Sequence, residues 1–224
     1  MLDRPTLIGR RWYDFANLVA FPFYFFGFSY RYSGRANVPR SGPVLLVSNH
    51  QSMLDPVLIG ACTNRYLTFL ARSTLFTVPV IGPLIRSLNA IPIDRTMGKD
   101  GIQSVLNRLA AGAAVLMFPE GERTHTGEVQ PLKPGVSLLI KRVGCPIVPV
   151  GIAGCFEGWS RFMKWPRWSP PILHAGPSTI GVSIGKPIPP ERYQGKDRAF
   201  MLEDLRRELA EQHAAAEKLR RKPG

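Results

Sequence analysis

Short apolar runs alternate along most of the chain with segments whose apolar positions recur at helical spacing. Residues 43–49 (PVLLVSN), 66–72, 89–93, 114–120 and 146–152 are brief, nearly uniform in hydrophobicity, and predict strands buried on both faces. Between them, residues 56–63, 79–88, 99–111 and 135–143 predict helices. In the third of these, Ile102, Val105, Leu106 and Leu109 share one side, and Gly112 supplies a stop. Strands alternating with helices predict an α/β fold, a mainly parallel mixed sheet flanked by helices. A sixth strand is expected within 179–188, after the Trp- and Pro-rich EGWSRFMKWPRWSPP. Residues 196–220, rich in Ala, Glu and Arg, predict a surface helix with Leu202, Leu205 and Leu209 on one side. There is no internal repeat.

The N-terminal pattern differs. Phe15 to Tyr30 is a run of sixteen residues without a charge, FANLVAFPFYFFGFSY, flanked by Arg10, Arg11, Arg31 and Arg35. As a helix this run reaches roughly 24 Å, short of the ~30 Å hydrocarbon core, and Pro22 and Gly27 are expected to bend it. Arginines at both ends fix no orientation across a bilayer. The expectation is a membrane-associating helical segment lying in the interface, the alternative a helix packed on the domain. Three parts follow: residues 1–35 as this segment, 36–195 as the α/β domain, and 196–224 as a C-terminal basic helix and tail.

At 224 residues the chain builds one sizeable core. Twenty-nine Lys and Arg against sixteen Asp and Glu leave a net charge of +13, which calls for an anionic partner: nucleic acid, anionic lipid or a phosphorylated substrate. No RNP-like signature, zinc finger or basic helix repeat supports nucleic acid. The three cysteines form no CxxC pair, so neither a disulfide framework nor a zinc site is indicated, and a reducing compartment fits.

Candidate chemistry gathers where strands end, the place where parallel sheets hold ligands. His50 follows the first strand, and Asp55-Pro56 opens the next helix. Read blandly, Asp55 is a helix start. Its second oxygen is also free to accept from His50 Nδ1, which leaves Nε2 as a general base. There is no GxSxG elbow and no other obvious nucleophile, so the base is expected to activate a substrate hydroxyl or water. FPEGERTHTG (118–127) turns sharply after the fourth strand and displays Glu120 and Arg123. These are read either as a local surface ion pair or as an anion clamp in which Glu120 orients a partner. Arg95, after NAIPID, is a second prong, and Lys133 is a third cation just before a helix start at Gly135 that offers amides to an anion. His125 is expected in the solvated loop.

NHQSMLD resembles the His-x4-Asp block of the glycerolipid (1-acylglycerol-3-phosphate or lysophospholipid) acyltransferases. AIPIDR resembles that family's second block, FPEGERT its third and IVPVGI its fourth, all in family order over residues 48–152. Glu122 stands where the third block has a small hydroxyl residue, and Pro92 departs from the second. The resemblance implies transfer of an acyl group from acyl-CoA or acyl-ACP to a lysophospholipid hydroxyl, 1-acyl-sn-glycerol-3-phosphate above all. His50 and Asp55 would be catalytic, with Arg95, Glu120, Gly121, Arg123 and Lys133 at the acceptor and backbone amides after His50 at the oxyanion. It implies no metal and no cofactor beyond the acyl thioester, and a peripheral or monotopic location on the cytoplasmic face of a membrane. Residues 75–93 are a candidate wall for the acyl chain. Two rivals remain open: a hydrolase whose base activates water, and a non-enzymatic anionic-lipid or nucleic-acid binding protein.

Overall fold

Each residue of β2 (Val44–Ser48) is buried, and its side chains alternate between two cores. Val44 and Leu46 join one apolar cluster, Leu45 and Val47 the other. The computed structural model, which describes residues 7–93, 99–172 and 176–221, places this strand in the middle of a seven-stranded sheet. The remaining strands are β1 (Arg31–Ser33), β3 (Leu67–Arg72), β4 (Ala90–Ile93), β5 (Ala114–Met117), β6 (Ile147–Ala153) and β7 (Gly181–Ile184). Their order is β1-β7-β6-β2-β5-β3-β4, and every pairing is parallel except β6 with β7. The mainly parallel mixed sheet and the six strands expected from the sequence are present. The three-residue β1 was not expected, being too short to carry a pattern.

Helices cover both faces. Helix α1 (Leu7–Phe28) and helix α2 (Asp55–Cys62) close the first core, through Tyr13, Tyr24, Phe28, Leu58 and Ile59. Helices α4 (Lys99–Ala110), α5 (Val136–Arg142) and α7 (Arg198–Leu219) close the second. Helix α3 (Ile81–Ser87) joins β3 to β4, and α6 (Cys155–Trp159) follows β6. From β2 the chain moves to one side of the sheet, and from β5 it crosses to the other by way of β6. The sequence direction therefore reverses beside the carboxyl end of β2, which opens a crevice there.

Helix α1 includes Pro22 without a break, and Gly27 leaves room for the Trp168 ring, which a side chain would strike. One element differs from the sequence reading. The C-terminal segment is no mere surface helix. Asp197 caps α7 by accepting from Phe200 N, and Met201, Leu205 and Leu209 are fully buried while Leu202 is only half so. Glycines let it lie directly on the sheet: a Cβ at Gly151 would meet the Gln212 backbone, and one at Gly181 the Ala216 carbonyl. Pairs of charged residues distributed round a helix conceal such a footprint from periodicity.

Candidate active site

His50 leaves β2 at the crevice. Its ring stacks on Phe118, centroids 4.0 Å apart and planes 17° apart, and its side chain is 18% exposed. Nδ1 lies 2.7 Å from Asp55 Oδ2. Among the described residues nothing hydrogen-bonds Nε2, so the ring keeps one nitrogen for a ligand.

Asp55 is fully buried, and its carboxylate reaches back rather than forward. The same Oδ2 accepts from Gln51 N at 2.6 Å and from Ser52 N at 2.8 Å. The loop thus winds round one oxygen, which fixes the imidazole tautomer and supplies a full negative charge behind it. This corrects two expectations. Asp55 does not divide its oxygens between a helix cap and His50; among the described residues Oδ1 meets no hydrogen-bond partner of good geometry. The Cys155 thiol interacts with the carboxylate, its own ionisation opposed by burial first and then by the Asp55 charge. The Gln51 and Ser52 amides, expected at an oxyanion, are spent on Asp55. Met53 N is the amide of this loop without a partner among the described residues.

Glu120 is corrected as well. The sequence puts it on display in the turn, whereas its residue is 2% exposed. Oε1 accepts from His50 N at 3.2 Å, and Thr124 N donates to His50 O at 2.7 Å, so the loop after β5 grips both sides of the His50 peptide. Burial, outweighing the hydrogen bonds from His50 and Gln130, pushes the Glu120 carboxyl up to about 8. At neutral pH it carries its proton and cannot pair with an arginine as an anion.

Gly121 stands at φ +77°, and a side chain there would crowd the stem of Lys133, itself exposed. Lys133 N donates to Pro119 O at 2.8 Å, which brings this lysine against the same turn. The helix start beyond it offers less than expected: α5 is short, and its first amides close turns onto Lys133 O, Pro134 O and Gly135 O.

Arg123 is half-buried, and its guanidinium has no hydrogen-bond or ion-pair partner among the described residues. Burial lowers its proton affinity most; Arg161 and Arg72 lower it further while Asp55 opposes them. An arginine stays a cation under such pressure, so the result is a fixed positive field beside the His50–Asp55 pair. Arg72 ends β3, in register with Ile93 of β4. Arg161 donates to Arg123 O at 3.1 Å and to Glu122 Oε2 at 3.1 Å. The carboxylate of Glu122, lowered by that bond, is therefore spoken for. His125 is exposed and joins the same pair, as a solvated-loop residue. Arg95 lies outside the described residues.

Sequence reasoning missed Arg72, Arg161, Thr124 and Gln51. The signal for Arg72 was present, an arginine at the carboxyl end of a strand. Arg161 and Thr124 had none. Gln51 acts as a hub: Oε1 accepts from Cys155 N and Phe156 N, and Nε2 donates to Gly127 O and lies 3.3 Å from His213 Nε2 on α7. Among the described residues no three His, Cys, Asp or Glu side chains are placed to hold a metal ion.

Across known proteins, the Acyltransferase family model matches residues 29–153, which contain His50, Asp55, Arg72, Glu120, Gly121, Arg123 and Lys133. The chain belongs to the acyltransferase family. It is 29% identical over 208 residues to "1-acyl-sn-glycerol-3-phosphate acyltransferase BAT2, chloroplastic" of Brassica napus, covering 91% of this chain and 54% of that protein. It is likewise 29% identical over 167 residues to the 1-acyl-sn-glycerol-3-phosphate acyltransferase of Pseudomonas aeruginosa, covering 71% and 59%. The chain thus spans a little over half the length of these relatives. The 1-acyl-sn-glycerophosphate (LPA) acyltransferase PlsC of Thermotoga maritima shares the fold, with a TM-score of 0.71 at 24% identity over 94% of this chain and 83% of that one. For an acyltransferase-family chain, the His-x4-Asp pair now has its geometry: one oxygen, three donors, and a ring held flat against Phe118.

Proposed function

We propose that the chain transfers an acyl group from a thioester, carried by coenzyme A or acyl carrier protein, to the free hydroxyl of 1-acyl-sn-glycerol-3-phosphate. The observation that carries this reading is the imidazole braced by Asp55 with Nε2 unengaged, beside an unpaired guanidinium field. In the proposed step Nε2 takes the hydroxyl proton as the acceptor oxygen bonds to the acyl carbon. The tetrahedral intermediate then expels the thiolate with cleavage of the C–S bond, and His50 returns the proton to sulfur. General-base help of this kind is worth about 10²–10⁴ in rate. Arg123 and Arg72 hold the acceptor phosphate, with Lys133 at its edge and Arg95 as a further cation; Gly121 keeps the turn open, and Glu120 positions His50 through its backbone. The amide of Met53, without a partner among the described residues, is the candidate oxyanion donor. The names of the relatives described above, both 1-acyl-sn-glycerol-3-phosphate acyltransferases, support this substrate class.

The surface supports a membrane location. Ile8, Trp12, Phe15, Val19, Phe23 and Phe26 form an exposed stripe at helical spacing along α1, while the opposite stripe packs on the core. Among the described residues no helix is long and apolar enough to cross a membrane. The exposed apolar stripe supports a helix lying in the interface, and the cytoplasmic face is part of the proposal. The patch continues through the expected chain wall, where Val80, 79% exposed, holds a left-handed φ of +70° that a β-branched residue adopts only under strain. On the other side it reaches Trp165 and Trp168, the latter stacked on Phe28.

Purified protein given labelled acyl thioester and lysophosphatidate in vesicles is expected to make phosphatidate. Release of free acid alone, insensitive to the acceptor, favours the hydrolase instead.

A further inference from the structure

The amino ends of the strands, at the pole of the molecule opposite His50, hold a second concentration of positive charge. A cleft of about 380 Å³ opens there between the residues that precede β2, β3, β4 and β5, and Arg10, Arg40, Arg65 and Arg108 all line it. Among the described residues no carboxylate lines it. Arg65 is built into the wall: Nη1 donates to Pro39 O at 2.6 Å and Nη2 to Gly42 O at 2.7 Å, so its charge is held in place by backbone dipoles, and among the described residues no acid pairs with it. Burial and the nearby Arg10 both lower its proton affinity, and Arg10 and Arg108 together act on Tyr66 in the same cleft. Folding has therefore brought like charges together from four separate segments: the start of α1, the turn before β2, the turn before β3 and the last turn of α4. Such crowding costs stability unless an anion relieves it.

We infer that this cleft binds a phosphate-bearing anion, separately from the site at His50. Several guanidinium forks converging from different elements suit a tetrahedral anion with three or more acceptor oxygens better than a single carboxylate, which one fork satisfies. Hydroxyl and amide groups from Tyr66 and Asn64 on the same wall suit the alcohol portion of a phosphate ester. Two sources supply this chemistry: the headgroup of an anionic lipid, which the position of Arg10 on α1 favours, and a soluble phosphate ester. The inference does not depend on the acyl-transfer reading.

The test uses the full chain and two double variants. Arg10→Gln/Arg40→Gln changes two exposed side chains and spares the structural Arg65; Arg72→Gln/Arg123→Gln disables the guanidiniums beside His50. Inorganic phosphate and glycerol 3-phosphate are titrated calorimetrically at constant ionic strength, and vesicles of phosphatidylglycerol in phosphatidylcholine are tested by flotation, with melting temperature as the check on folding. The expected result is that Arg10→Gln/Arg40→Gln weakens soluble phosphate binding, vesicle capture or both by at least tenfold, while that loss is absent in Arg72→Gln/Arg123→Gln. A loss confined to flotation assigns the cleft to a headgroup, and a loss confined to calorimetry assigns it to a soluble ester. Unchanged binding in both assays for Arg10→Gln/Arg40→Gln overturns the inference, as does phosphate binding that disappears only in Arg72→Gln/Arg123→Gln.

Discussion

His50 Nδ1 and Asp55 Oδ2 stand 2.7 Å apart, and that one oxygen also takes the amides of Gln51 and Ser52. The carboxylate therefore has two tasks, to shape the loop and to balance charge on the ring. Asp55→Asn separates them, since the amide oxygen still accepts from the backbone but brings no negative charge to an imidazolium. Steady-state assays are expected to show kcat down by about 10²–10⁴ with acceptor KM within threefold. A kcat near that of the unaltered protein would remove the charge from the account.

Glu120 gives the fold a pH dependence of its own. Its carboxyl, at about 8 when folded, ionises near 4.5 in the unfolded chain. Below pH 4.5 both states hold the proton; between about 5 and 8 the unfolded chain has released it while the folded protein retains it. Stability therefore falls as pH rises through that window and levels off above it, by a limit on the order of 3–5 kcal/mol. Glu120→Gln keeps an acceptor for His50 N and removes the proton. Denaturant melts from pH 5 to 9 are expected to lose this slope in the variant, which is then the more stable protein at pH 9. Identical slopes in the two proteins count against the buried carboxyl as the cause.

Arg72 was absent from the sequence-derived clamp, and its charge acts on Arg123 in the structure. Arg123→Ala and Arg72→Ala are each expected to raise acceptor KM about tenfold or more, with kcat changed less. Because the two guanidiniums are close enough for the Arg72 charge to lower the proton affinity of Arg123, the double variant is expected to depart from the sum of the single effects. An unaltered KM in Arg72→Ala takes that residue out of the phosphate site.

Gln51 links the loop after β2 to α6, to the loop after β5 and to α7 through four polar contacts. Gln51→Ala removes the partner of one buried amide, one half-buried amide and a carbonyl, at an expected cost of about 2–4 kcal/mol in stability. His213→Ala, which removes one contact at the rim, should cost under about 1 kcal/mol. Equal losses in the two variants would mean that the hub lies elsewhere.

How far the sequence carried follows from the reach of each signal. Strand runs such as 43–49 and 146–152 are buried on both faces and stand out by hydrophobicity alone, so the sheet was legible. His50 and Asp55 were legible because the loop joining them is short. Glu120 was read with the wrong orientation because a charged residue in a turn resembles a surface residue until its neighbours are known. Only the parallel pairing of β5 with β2, which sets the loops after them side by side, shows that its carboxyl faces the His50 amide. Arg161 reaches Arg123 across 38 positions and His213 reaches Gln51 across 162, contacts set by packing of whole helices and loops that no local pattern encodes.

The central claim is tested most directly by His50→Ala, assayed for phosphatidate formation from acyl thioester and lysophosphatidate with lysophosphatidate binding measured on the same sample. The account predicts product formation reduced at least 10²-fold with acceptor affinity within threefold and an intact melting transition. Turnover near the unaltered rate in a folded His50→Ala protein would contradict it.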